Sequence, residues 1–166
     1  IEAFAFRDIT TLKTVIFHNN ITEIGQFAFQ RSGIEGTVFM PPKVIDIKDY
    51  IFQRCPDLET VIFHDNITKI GEFAFSNNGL KGKLVIPPKV TTIENGIFKN
   101  CPNLKQVVFH ENILTIVEYA FFQSGIEIVT IPLIFQFQLL EGIFKYCPKF
   151  ETIEIQQENS TVVNGQ

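Results

Sequence analysis

The sequence predicts a repeat solenoid, a right-handed superhelix of about seven 23-residue turns, with short parallel strands on one face and tight turns or single helical turns on the other. Two observations carry this. Phe6, Phe29, Phe52, Phe75, Phe98, Phe121 and Phe144 recur every 23 residues without exception. The composition also asks for a repeated core position, because 166 residues include 18 Phe, no Trp and one Met. A unit of this length cannot bury its apolar face alone, and stacking neighbours gives a continuous core.

Each element of the unit follows from its own column. Before each Phe stands Ala or Ile (Ala5, Ala28, Ile51, Ala74, Ile97, Ala120, Ile143). Ile24, Ile47, Ile70, Ile93, Ile116 and Leu139 form a second apolar column, and Ile21, Val44, Ile67, Val90 and Ile113 a third, in which Gln136 breaks the register. Leu58-x-x-Val61-x-Phe63 places inward residues at period two, the mark of a strand. Strands are expected at Thr14–Phe17, Thr37–Met40, Thr60–Phe63, Lys83–Ile86, Gln106–Phe109, Ile128–Ile131 and Thr152–Ile155, one per turn and paired in parallel. The Ile-Gly-x-x-Ala-Phe stretches are too short for a full helix.

The units alternate, so the true period is 46. Odd units read Ile-Phe-x-x-Cys-Pro-x-Leu, at Ile51–Leu58 and Ile97–Leu104, with Phe150 replacing Leu in Ile143–Phe150. Even units carry a glycine turn, at Ser32-Gly33-Ile34, Asn78-Gly79-Leu80 and Ser124-Gly125-Ile126. Odd strands end in Phe-His (His18, His64, His110), and two even ones end in Pro41-Pro42 and Pro87-Pro88. Pro132 comes one residue early in the third even unit, a one-residue deletion offset before Leu139.

The pattern Ala/Ile-Phe-x-x-Cys-x-x-Leu-x-x-Val-x-Phe/Ile-Pro/His-x-x-Ile-x-x-Ile-Gly resembles the BspA-like (Treponema-type) leucine-rich repeat family over essentially the whole chain to Ile155. The period of 23 also falls within the range of leucine-rich repeats. The resemblance implies a leucine-rich-repeat superhelix and a surface or secreted protein that adheres to host, matrix or surface proteins; an intracellular location stays open. The family's Cys stands only in odd units here. The chain reads as one array over 1–166, regular to about 155, with a polar tail at 156–166. Ile1 aligns with Ile24 in mid-unit and neither end carries a polar cap, so a fragment of a longer protein is expected.

Charge and motifs narrow the function. A net charge of −4 argues against nucleic acid, which calls for a basic stripe. No run of apolar residues is long enough for a spanning helix, so no membrane insertion is expected. Asp65, Glu111, Glu118 and Glu141 fall in loops and form no catalytic pair, and no Ser-His-Asp set, phosphate loop or HExxH occurs. An enzyme and a cofactor are therefore not expected. Cys55, Cys101 and Cys147 are 46 apart. Two strand spacings of about 4.8 Å separate them by roughly 10 Å, beyond disulfide reach, so they should be free and buried. The same spacing keeps His18, His64 and His110 from sharing a metal, and solvent-facing strand-end histidines are expected. Sequons occur at Asn20, Asn66 and Asn159, and each also reads as a turn asparagine.

The informative surface is the outward strand face. Ile16, Phe39, Ile62, Val85 and Val108 form an apolar column that turns polar at Thr130 and Glu154. An exposed stripe of this kind marks an interaction site, while strand propensity alone also favours such residues. The column, rimmed by His18, His64 and His110, is the candidate partner site. A protein partner is the first expectation. A structural spacer or self-associating coat segment is the alternative.

Overall fold

The computed structural model describes residues 1–135, 137–140 and 142–156. Gln136, Glu141, Asn159 and nearly all of the polar tail lie outside the described residues. The elements in order are β1 (Gly36–Phe39), β2 (Asp46–Ile47), β3 (Leu58–Ile62), β4 (Lys69–Ile70), β5 (Gly82–Val85), β6 (Thr92–Ile93), β7 (Leu104–Val108), β8 (Thr115–Ile116), β9 (Ile128–Pro132), a 3-10 turn at Phe137–Leu140 and β10 (Thr152–Gln156). All pairings are parallel. The longer strands form the main face, and β2, β4, β6 and β8 form a second line that the sequence reading did not contain.

The core is the set of columns read from the sequence. Phe29, Phe52, Phe75, Phe98 and Phe121 are fully buried, with the isoleucine columns packed beside them. Successive rings from Phe6 to Phe121 stack at centroid distances of 5.2, 5.2, 5.8, 5.9 and 5.6 Å, and Phe144 continues the ladder at 5.4 Å with its ring tilted by 31°. Phe17, Phe63 and Phe109 add edge-on contacts to this ladder from the strand side. Four of the ladder carbonyls are also capped from the next turn. The Sγ of Cys55, Cys101 and Cys147 donates to Phe29, Phe75 and Phe121 at 3.1–3.2 Å, and Asn78 Nδ2 does so to Phe52 at 2.8 Å.

Opposite the strands the described residues form consecutive tight turns, as expected, closed by bonds such as Ala28 N–H to Gly25 O and Gln30 N–H to Phe27 O. Among the described residues eleven non-glycine residues there adopt positive φ, Phe27, Arg31, Tyr50, Arg54 and Phe73 among them. This conformation costs roughly 1–2 kcal/mol per residue. It is offset because alternate peptide N–H groups point along the solenoid axis into the next turn. Phe27, Phe29 and Arg31 donate to Asp49, Ile51 and Gln53 at 3.3, 3.0 and 2.8 Å, and the pattern repeats at Tyr50, Phe52 and Arg54. No local sequence signal announces a left-handed Phe or Tyr, so the tight turns are legible in the sequence and the ladder between them is not.

The strand face departs from the expected continuous sheet. The main strands divide into β1–β3 and β5–β7–β9–β10, with no pairing between β3 and β5. The second line divides at the same place, into β2–β4 and β6–β8. Between β1 and β10 the array makes about five turns, against about seven expected, although the Phe ladder keeps seven rungs. The expected strand at Thr14–Phe17 is not formed: like β3, this segment lacks strand pairing to the even turn after it. The 46-residue period is thus architectural. Even-to-odd turns join through strands and the turn ladder, whereas the first two odd-to-even junctions rely on the ladder.

Candidate interaction face

Each unpaired junction is a slot in the outward face. The first, of about 290 Å³, lies between Ile16, Phe17 and the Phe39–Pro42 edge. The second, of about 250 Å³, lies between Ile62, Phe63, His64 and the Val85–Pro88 edge. Both slots are closed at their ends. At the strand start, Glu35 N–H donates to Lys13 O and Lys81 N–H to Glu59 O, both at 3.0 Å. The exposed ion pairs Lys13–Glu35 and Lys81–Glu59 sit over those bonds at 3.3 and 2.6 Å, and pairs this exposed stabilise by about 1 kcal/mol at most. Beyond the prolines, Lys43 Nζ donates to Asn20 Oδ1 at 2.9 Å and Lys89 Nζ to Asn66 Oδ1 at 2.7 Å. The two described sequon asparagines therefore tie the far ends of the slots. The first slot is lined by uncharged residues, and the second carries Asp65 and Lys83.

Four members of the predicted column stand out from this face. Ile16 is 91% exposed, Phe39 66%, Ile62 43% and Val85 56%. Val108 does not belong with them, being only 8% exposed. Its strand is paired on both sides, to β5 and β9, whereas β3 and β5 each have one partner. Thr130, the next residue along, is buried too, at 4% exposure. There Gln106 Nε2 donates to Thr130 Oγ1 at 2.7 Å and Thr130 Oγ1 donates to Glu154 Oε2 at 3.0 Å, a polar lid over the closed part of the sheet. The open, apolar face ends at Val85.

The histidines are only partly as expected. His18 is exposed. His64 and His110 are half-buried straps between turns. His64 Nε2 lies 3.0 Å from Pro41 O and 3.1 Å from Val44 O, and His110 Nε2 lies 2.9 Å from Pro87 O. In all three, Nδ1 accepts the backbone N–H two residues on, from Asn20, Asn66 and Asn112. With Nδ1 accepting, a proton on Nε2 is the arrangement that lets His64 and His110 donate to these carbonyls. The paired prolines leave their carbonyls free to accept, which a residue-by-residue reading of strand ends does not reveal.

The model of the BspA type leucine rich repeat region matches residues 1–82 and 81–165, in six copies. The chain belongs to the BspA-type leucine-rich repeat family. Among solved structures, a leucine-rich repeat protein from Bacteroides ovatus superposes with a TM-score of 0.79 at 23% identity, covering 93% of this chain and 39% of that one. The BspA-type array thus spans well under half the length of that protein and shares its fold. A leucine rich cell surface protein from Faecalibacterium prausnitzii aligns over 96% of this chain and 77% of its own, at 17% identity, with a TM-score of only 0.32. No curated protein matches.

Cys55, Cys101 and Cys147 are free and buried, as their spacing requires. Burial pushes all three thiols up, Cys101 to about 12, which keeps them protonated and unreactive. No group of three or more potential metal ligands occurs among the described residues, and no described helix is long and apolar enough to cross a membrane.

His110 gives the array a pH dependence. Burial holds its imidazole below the ordinary 6.5, against the opposing pull of the Pro87 carbonyl and of Glu111. The unfolded chain therefore binds a proton first as pH falls. The stabilisation is complete above about 6.5 and is lost as pH drops through the lower, folded value. The urea midpoint should fall between about pH 7 and about pH 5. His110→Gln, which keeps a donor toward Pro87, should flatten that fall. An equal slope in wild type and variant would assign the pH effect elsewhere.

Proposed function

We propose that this array is a non-catalytic protein-interaction module of a surface or secreted protein, gripping its partner through the open part of the outward face. The observation that carries this reading is the exposure of Ile16, Phe39, Ile62 and Val85 in one column across two slots in the outward face. Exposed apolar surface on a folded chain costs free energy in water and is the usual mark of a contact site. His18 and His64 sit at the rim of this face, and His110 serves the fold beside it. Family membership supports a repeat module of the kind found in surface proteins. Adhesion to a host or matrix protein is the finer reading that follows.

The test is a double substitution, Ile62→Thr with Val85→Thr. Threonine keeps the β-branch and hence strand propensity. Interface anchors typically contribute more than about 1 kcal/mol each, so affinity should fall at least about tenfold while the melting temperature stays nearly fixed. Binding would be titrated against a panel of purified matrix and surface proteins. If the variant binds as wild type does, the contact lies elsewhere on the array and the assignment of this face fails; if neither binds any member of the panel, the spacer reading takes its place.

A further inference from the structure

Three equivalent odd-to-even junctions exist in this chain, and they do not behave alike. Two are open as slots. The third is closed, with Gln106, Val107 and Val108 of β7 paired to Ile128, Val129 and Thr130 of β9. The sequences approaching these junctions differ by one residue. The first two even units read Gly33-Ile34-Glu35-Gly36-Thr37 and Gly79-Leu80-Lys81-Gly82-Lys83, and the third reads Gly125-Ile126-Glu127-Ile128. The second glycine is missing where the sheet is closed, which is the deletion that brings Pro132 forward.

The backbone shows how one glycine acts. Glu35, Lys81 and Glu127 all donate their N–H back to the preceding turn, to Lys13, Glu59 and Lys105. In the first two units the next residue is glycine with φ of +70°, a conformation open to glycine at little cost. There the N–H turns the other way, Gly36 to Asp57 O at 3.0 Å and Gly82 to Asn103 O at 3.1 Å, in the following turn. Register with the following strand slips at Gly36/Thr37 and Gly82/Lys83, as at a β-bulge. From that point the strand is committed forward and leaves its predecessor. Phe109 N–H still reaches Thr130 O at 2.9 Å across the closed junction, whereas the matching Phe63 N–H has no such bond to Val85.

We infer that Gly36 and Gly82 are the positioning residues of the interaction face: each, as one inserted left-handed residue, holds a slot open and keeps the apolar residues beside it exposed. Ile62 and Val85 flank the junction that Gly82 opens, and Val108 and Thr130 flank the junction that lacks the glycine. The exposed and buried states of one column are thus set by a single residue per even turn. The consequence for binding rests on the reading of this face given above; the consequence for the sheet stands without it.

The experiment uses the full chain, with Gly82 deleted in one variant and a glycine inserted between Glu127 and Ile128 in another. Amide exchange is followed at Phe63 and Phe109, and Ile62→Cys placed in each background is labelled with a thiol reagent, the native cysteines being buried. Pairing protects an amide by a local opening free energy, so in wild type Phe63 should exchange at least about a hundredfold faster than Phe109. Deleting Gly82 should slow Phe63 to the Phe109 rate and slow labelling at position 62 about tenfold. The insertion should speed Phe109 by a similar factor. Unchanged exchange at Phe63 in a folded deletion variant, or at Phe109 in the insertion variant, overturns the inference. Should the deletion prevent folding, the insertion decides alone, since it adds a residue that two even turns already accommodate. If exchange responds and partner binding does not, the glycine assignment holds and the binding reading falls.

Discussion

Replacing Phe75 by alanine should lower stability by about 3–5 kcal/mol, the range for truncating a large buried aromatic. Phe75 is fully buried, stacked between Phe52 and Phe98 at 5.8 and 5.9 Å, with Phe63 edge-on at 5.7 Å. Its neighbours are fixed by their own turns and cannot collapse into the cavity. The position also lies on the turn ladder, the connection that continues across the open β3–β5 junction. In a solenoid each turn is stabilised by its neighbours, so a weakened interface at this place uncouples the two halves of the array. Phe122→Ala is the control. That ring is half-buried, beside Tyr119 and Tyr146 with Lys99 Nζ 5.1 Å from its centre. Urea midpoints should shift several-fold more for Phe75. Equal shifts would show that the buried ladder is not the core.

Gly79→Ala should be equally severe for a different reason. A Cβ there would overlap the carbonyl oxygen of Pro56 in the preceding turn, with the carbonyl carbon at 3.0 Å. The obstacle is backbone, which has no rotamer to escape into. Overpacking of this kind costs about 1–3 kcal/mol in cores that can adjust, and the upper end or more is expected here. Gly33 and Gly125 meet Thr10 and Pro102 in the same way. Gly36→Ala gives the contrast, because nothing lies within 4 Å of its Cβ position and only the positive φ is penalised, by about 1–2 kcal/mol. A Gly79→Ala variant as mild as Gly36→Ala would show that adjacent turns approach less closely than the structure has them.

The glycines also mark where sequence reading reached and where it stopped. Gly33, Gly79 and Gly125 are legible as the replacement for the odd-unit Cys-Pro turn, because they recur at a fixed place in the 46-residue period. The deletion before Pro132 is legible as well. Its meaning is not, since a missing residue does not say which neighbouring turn the next N–H will choose. The same gap explains Val108. Alternation puts it on the outward face with Ile62 and Val85, and burial there depends on whether β9 pairs with β7. His64 and His110 look like strand-end histidines until the carbonyls of Pro41 and Pro87, 23 residues away, are seen to accept from them.

By itself the sequence determined the solenoid, its period, its Phe core, its strand face and its free cysteines. Each of these follows from a side chain repeated in register, and a fixed period leaves stacking as the one arrangement that buries every copy. The tertiary structure alone decided which turns pair through strands, where the outward face opens, and which turn residues go left-handed. Those choices rest on backbone hydrogen bonds between turns. Backbone groups are alike at every residue, so a sequence does not write down their partners; only the closed competition among neighbouring turns for each N–H and C=O does.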